Sequence, residues 1–159
     1  MKRATLCFLI KKDKEILLAM KKKGFGQGKW NGIGGKLDFI KGDKDIFDTA
    51  IREMKEESGV AVKDMEKVAI LNFYFPYQKE WDQEVHVFIS RNWKGEPKES
   101  EEMRPKWFKI KEIPFAEMWP DDKFWFPKIL AGKKLRADFI FKKGEIIASY
   151  NIKYESKEI

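Results

Sequence analysis

Arg52-Glu53-Met54-Lys55-Glu56-Glu57-Ser58-Gly59-Val60 is the stretch on which the reading of this 159-residue chain turns. Glu53, Glu56 and Glu57 stand at i, i+3 and i+4, so a helix through them crowds three carboxylates onto one face within a turn. Like charges at that spacing repel. Hard divalent ions such as Mg²⁺ or Mn²⁺, by contrast, want several carboxylate oxygens converging from a rigid element. The helix is signalled independently: Asp43 or Asp45 can cap its start, Ile46, Ala50 and Met54 line the opposite apolar stripe, and Gly59 can end it in the left-handed conformation. A solvated acidic face is the ordinary alternative for such a triplet, and its surroundings decide against it.

Upstream lies a glycine-rich loop, Lys21-Lys22-Lys23-Gly24-Phe25-Gly26-Gln27-Gly28-Lys29-Trp30-Asn31-Gly32, of a composition that lets backbone approach a ligand closely. It follows two apolar runs, residues 5–10 and 16–20, that read as a hairpin of strands. Downstream, residues 68–77 and 84–93 read as two long strands, with Val85, Val87 and Ile89 alternating against His86, Phe88 and Ser90. A charged surface loop, 94–104, leads to a short strand at 106–110, a helix at 123–131, and a terminal hairpin of strands 138–141 and 146–154 turning at Lys143-Gly144. Strands and two principal helices interleave without regular βαβ alternation, which predicts an α/β fold with a mixed sheet flanked by helices.

Hydrophobic residues make up 43% of the chain and aromatics 14%, enough for one good core and too little for two ordinary domains, so residues 1–159 are expected to form a single domain. No apolar run reaches the length of a membrane span and the N-terminus lacks a signal-peptide core, so a cytoplasmic protein with no membrane partner is expected. Cys7, the only cysteine, sits in an apolar run, which excludes an intrachain disulfide or a cysteine zinc site and predicts a buried, inert thiol. A net charge of +7 favours a polyanionic partner, but the lysines are scattered, so a nucleotide is expected in preference to a stable nucleic-acid complex. His86, the only histidine, reads as a packed or hydrogen-bonded sheet residue outside any site.

The segment from Gly35 to Val60 resembles the Nudix hydrolase signature. Arg52 to Val60 matches its second half, Arg-Glu-aliphatic-x-Glu-Glu-x-Gly-aliphatic, throughout, with Met54 as the aliphatic residue. Sixteen residues separate Gly35 from Arg52, three more than the pattern has, and the signature's first glutamate falls on Lys44 or Asp43. Outside the signature, Trp30-Asn31-Gly32, Val85-His86-Val87-Phe88, Glu102-Met103-Arg104-Pro105, Met118-Trp119-Pro120-Asp121-Asp122 and Trp125-Phe126-Pro127 resemble the oxidised-purine nucleoside triphosphatases of that family.

The resemblance implies an α/β/α sandwich and hydrolysis, dependent on Mg²⁺ with Mn²⁺ as a substitute, of oxidised purine nucleoside triphosphates such as 8-oxo-dGTP and 2-oxo-dATP to monophosphate and pyrophosphate. It implies Glu53, Glu56, Glu57 and Glu102 as metal ligands with the carbonyl of Gly34, Arg52 as the group that orients a neighbouring glutamate, and Lys21 on phosphate. Asn31, Trp119, Asp121 and Asp122 would form the base pocket, lined by Phe25 and Thr5, in a protein expected to work as a monomer. The chemistry is apt: an indole face stacks a purine, and adjacent carboxyls in a confined site hold different protonation states, so one donates while the other accepts. Ile70 and Gln83 depart from the pocket positions expected of the family, which keeps a different nucleotide, a dinucleotide or a nucleotide sugar, as the alternative. A basic nucleic-acid-binding module that has kept the fold without catalysis is the remaining one.

Overall fold

Two strands that leave a tight turn together and then part create the cavity of this molecule. The computed structural model describes residues 1–157 and 159. The chain runs β1 (Lys2–Lys11), β2 (Glu15–Lys21), β3 (Trp30–Asn31), α1 (Ile46–Ser58), β4 (Ala61–Tyr74), β5 (Gln83–Lys94), β6 (Met103–Lys109), α2 (Asp122–Leu130), β7 (Lys134–Lys142) and β8 (Ile146–Glu155), with short 3₁₀ turns between β4 and β5 and between β6 and α2. β1 and β2 pair only at Ile10↔Ile16 and Lys11↔Glu15. β1 then runs parallel to β5, while β2 pairs along its length with β6, and β3 takes up the edge that β1 has left. The expected hairpin is therefore a hairpin only at its base.

The sheet runs β3-β2-β1-β5-β4-β7-β8, with β6 on the other edge of β2. β1–β5 and β4–β7 are parallel and the remaining pairs antiparallel, the mixed sheet that the sequence predicts. Alternate residues of β1 go to opposite faces, as the pleat requires. Phe8 joins Leu71, Val87, Phe139 and the α2 residues Trp125 and Phe126 in one buried cluster. Cys7 and Leu9 join Phe88 and the α1 stripe Ile46, Ala50 and Met54 in the other. The two helices thus cover opposite faces, which makes the fold an α/β/α sandwich. Burial pushes the Cys7 thiol up to about 12, so it is inert at neutral pH. Among the described residues no helix is long and apolar enough to cross a membrane.

α1 begins where Asp45 accepts from the Asp48 N–H (3.0 Å) and ends at Gly59, whose φ of 80° brings its N–H to the Lys55 carbonyl. Two strands depart clearly from expectation: β7 starts at Lys134 instead of residue 138, and β4 starts at Ala61 instead of residue 68 and ends at Tyr74 instead of 77. The first half of β4 pairs with β5 through register shifts at Val62/Asp64, Asp64/Glu66 and Lys67/Ala69, which scramble the period-two pattern by which a strand is read. Its far end is closed by a turn in which Asp82 accepts from the Phe75 N–H at 2.7 Å.

Candidate active site

Where β1 parts from β2, the segment after β3 moves in against it. Thr5 N–H donates to the Gly35 carbonyl (2.9 Å), Cys7 and Ile33 exchange backbone bonds, and Leu37 N–H donates to Arg3. The approach is close enough that only glycine fits at two positions. A Cβ on Gly34 would collide with the Thr5 carbonyl, and one on Gly35 with the Glu53 carboxylate. The first glutamate of the α1 triplet therefore lies directly beneath the Gly34-Gly35 backbone.

Arg52 holds that arrangement. Its Nε and Nη2 donate to Asp43 at 2.8 Å each, Nη1 to Glu53 at 2.9 Å and to Glu56 at 3.2 Å, and Nη2 also to the Lys36 carbonyl. Asp43 is buried and accepts further from Thr49 Oγ1 and the Asp38 N–H. The guanidinium and these donors hold the Asp43 carboxyl well below the usual carboxylate range. Of the two positions open to the signature's first glutamate, Asp43 therefore carries the paired carboxylate, and Lys44 does not. Arg52 acts through Asp43 first and the helix glutamates second, so the expected Arg52–Glu56 link is its longest carboxylate contact.

Glu57 and Glu102 line the cavity together with Lys21. Burial, with the charges of Glu53, Glu102 and Glu56 nearby, pushes Glu57 up to about 7, against the pull of Lys21. Glu102 arrives on the charged loop, which Lys22 pins: the Lys22 N–H donates to the Glu102 carbonyl (3.0 Å), and its Nζ donates to the Ser100 carbonyl (2.7 Å) and pairs with Glu99. Glu53 and Glu56 do not themselves line the cavity, and among the described residues no three carboxylates are gathered into a ready cage. The donor set is still one that fits a hard cation: carboxylate oxygens whose mutual repulsion shows in Glu57, beside backbone carbonyls of the glycine turn.

The same cavity, of about 590 Å³, continues from these glutamates to Asp121 and Asp122, past Thr5, Phe25, Asn31, Gly34 and Trp119, so ten of the predicted site residues share one space. Asp121 and Asp122 are each 2% exposed, and burial raises the proton affinity of both, further at Asp122 through the charge of its neighbour. Asp121 stands at the cap position of α2 but makes no capping bond. Its Oδ2 accepts instead from the buried Trp125 Nε1 at 2.7 Å. Asp122 Oδ2 is buried with no hydrogen-bond partner among the described residues. Asn31 Oδ1 accepts from the Gly32 N–H (2.8 Å), which leaves its amide NH₂ as the group to offer.

Two pocket expectations separate here. Gln83 lines the cavity, but Ile70 does not: it is buried on β4 opposite His86, so its departure from the family pattern does not alter the wall. His86 is likewise outside the cavity. Its Nε2 lies 3.3 Å from Glu84, out of line for a hydrogen bond, and burial lowers its proton affinity. Sequence reading missed Asp43 as the partner of Arg52, Trp125 as the support of Asp121, and Phe73, Phe75 and Trp81 as cavity wall. Of these only the i, i+4 spacing of Asp121 and Trp125 gave a local signal.

The chain belongs to the NUDIX domain family, whose model matches residues 1–129, from the start of β1 into the last turn of α2. It is 44% identical over 145 residues to a mouse oxidized purine nucleoside triphosphate hydrolase, covering 91% of this chain and 90% of that protein, and 42% identical over 144 residues to the zebrafish protein of the same description, with the same coverage. Among solved structures, a MutT protein from Bacillus halodurans superposes with a TM-score of 0.82 at 26% identity, over 96% of this chain and 97% of the other.

Proposed function

We propose that this chain hydrolyses oxidised purine nucleoside triphosphates to the monophosphate and pyrophosphate, removing damaged nucleotides such as 8-oxo-dGTP and 2-oxo-dATP. The observation that carries this is the single cavity with a buried aspartate pair and an indole face at one end and glutamates with a lysine at the other. The two animal hydrolases it resembles along nine-tenths of its length support the same substrate class.

At the base end, a protonated carboxyl of the Asp121–Asp122 pair donates to a purine carbonyl while its ionised neighbour accepts from a ring N–H, and exchanging the proton lets one pocket read more than one oxidised base. Trp125 holds Asp121 by its indole N–H, while Asp122 Oδ2 is left with its hydrogen-bonding capacity unused among the described residues. Asn31 donates from its NH₂, and Trp119 supplies the stacking face. At the phosphate end Lys21 meets the triphosphate, and Glu57 and Glu102 reach the same space, where a carboxylate can take a proton from the attacking water. Glu53, Glu56, Glu57, Glu102 and the Gly34 carbonyl would hold a divalent cation, Mg²⁺ or Mn²⁺, which when bound neutralises phosphate oxygens and polarises water. All these groups come from one chain, in keeping with a monomer that needs no nucleic-acid or membrane partner.

Pyrophosphate release from a panel of oxidised and ordinary nucleoside triphosphates, dinucleotides and nucleotide sugars, with and without a chelator, tests the proposal. Metal-dependent release fastest from the oxidised purines is expected. Faster turnover of a dinucleotide or nucleotide sugar, or full activity with the chelator, contradicts it.

A further inference from the structure

The aromatic wall of the cavity closes into a ring. Phe25 lies 5.0 Å from Trp119 and 5.1 Å from Trp81 between ring centroids. Trp81 reaches Phe75 at 5.6 Å, Phe75 stacks on Phe141 at 5.1 Å, and Phe141 meets Trp119 at 6.2 Å. Trp81 is held firmly: its N–H donates to the Gln78 carbonyl, Asp82 ties the same turn to Phe75, and Tyr77 packs edge-on at 6.0 Å. Phe25 instead stands between Gly24 and Gly26, with φ of 79° and 85°, on the glycine loop. Each of Phe25 and Trp81 touches three rings yet stays about two-fifths exposed, at 39% and 38%.

We propose that Trp81, which lines the cavity beside Phe25, is a second stacking wall of the base pocket in addition to Trp119, and so a determinant of purine affinity. The phenyl ring of Phe25 lies against both indoles, at 30° to Trp119 and 51° to Trp81, so this wall accepts a flat ring against each of them. A bicyclic base is broad enough to meet both indoles, whereas a pyrimidine offers half the surface. Stacking responds to the π-face and not to the hydrogen-bonding edge, so Trp81 strengthens binding of oxidised and ordinary purines alike, while Asp121 and Asp122 separate the two. This rests on the function proposed above and extends it to a residue of the β4–β5 turn.

The test compares wild type with Trp81→Leu and Trp81→Phe, using 8-oxo-dGTP, dGTP and dCTP for kinetics and the corresponding monophosphates without metal for calorimetry. Trp81→Leu should raise KM for both purine nucleotides and weaken both purine monophosphates roughly tenfold. It should leave kcat within about twofold, the preference for the oxidised base unchanged and dCTP little affected, and Trp81→Phe should recover most of the loss. Unchanged purine affinity in Trp81→Leu overturns the proposal, as does a loss of kcat that follows a fall in Tm, which marks a merely structural residue. If wild type shows no preference for oxidised purines, the proposed function fails, while a purine-selective loss of monophosphate affinity in Trp81→Leu still upholds the second wall.

Discussion

The two ends of the cavity are built in opposite ways. The phosphate end is largely local: Gly34, Gly35, Asp43, Arg52, Glu53, Glu56 and Glu57 fall within 24 consecutive residues, and one guanidinium ties three of the carboxylates together. The base end draws Thr5, Asn31, Gln83 and the stretch holding Trp119, Asp121 and Asp122 from four separate parts of the chain, and Asp121 is supported from the core by Trp125. A unit held together within itself can keep its chemistry while the remote pocket changes, so turnover and base choice should respond to different substitutions.

The largest effect is expected at the phosphate end. Glu57→Gln removes a carboxylate charge from the cavity wall and should lower kcat roughly a hundredfold to ten-thousandfold with the fold intact, measured by single-turnover pyrophosphate release beside a thermal melt. Asp43→Ala comes next. It takes both 2.8 Å partners from a guanidinium whose side chain is only 14% exposed, leaving it Glu53, Glu56 and the Lys36 carbonyl, and should cost about 3 kcal/mol. In a chain of this size that lowers Tm by roughly 6–12 °C.

The pH dependence of that loss has a definite sign. The folded state holds Asp43 below its ordinary value of about 3.9, so the pair stabilises the fold above that pH and loses its contribution as pH falls through it. The gap in Tm between wild type and Asp43→Ala should be full at pH 7 and narrow below about pH 4.

At the base end the expected effects are smaller and of another kind. Asp121→Ala and Asp122→Ala should each reduce the preference for 8-oxo-dGTP over dGTP about tenfold to a hundredfold, by leaving one buried hydrogen bond to the base unmade. Asp122→Asn should stabilise the fold at pH 8, because burial opposes an ionisation that the unfolded chain undergoes freely there. The advantage should shrink as pH falls toward the ordinary carboxylate value of about 3.9, where the unfolded side chain is protonated as well. Chemical denaturation across that range reads it directly. The smallest effect is expected from Lys22→Ala, which frees the loop carrying Glu102. A severalfold rise in the Mg²⁺ concentration for half-maximal rate, with base preference unchanged, would show that this loop belongs to the phosphate end.

The same contrast explains what could be read from the sequence. α1 was legible from cap to cap because every residue that builds it lies within one stretch, and Gly34-Gly35 carried their meaning in their spacing from it. The three-residue expansion between Gly35 and Arg52 hid Asp43, since a count along the chain cannot say which carboxylate folds back onto Arg52. The structure settles that by burial. Asp121 and Asp122 were legible only through resemblance: taken alone they form a helix start, and it takes Trp125 and the cavity to show that neither serves as a cap. The first half of β4 was hidden by its bulges; Phe73 gave no sign of facing a cavity because a strand's alternation does not say which face is core and which is site, and Phe75 and Trp81 lie in the turn beyond it, where no period applies.

The most direct test of a cavity divided in this way is the preference for 8-oxo-dGTP over dGTP, read as relative affinity by calorimetry in Mg²⁺ on Glu57→Gln and as the ratio of specificity constants on Asp122→Ala. Glu57→Gln should bind the oxidised nucleotide with the wild-type preference, judged from wild-type specificity constants, and turn it over very slowly. Asp122→Ala should lose most of the preference while still hydrolysing the triphosphates it binds. Equal loss of preference in both variants, or a wild type that treats the two nucleotides alike, would contradict it.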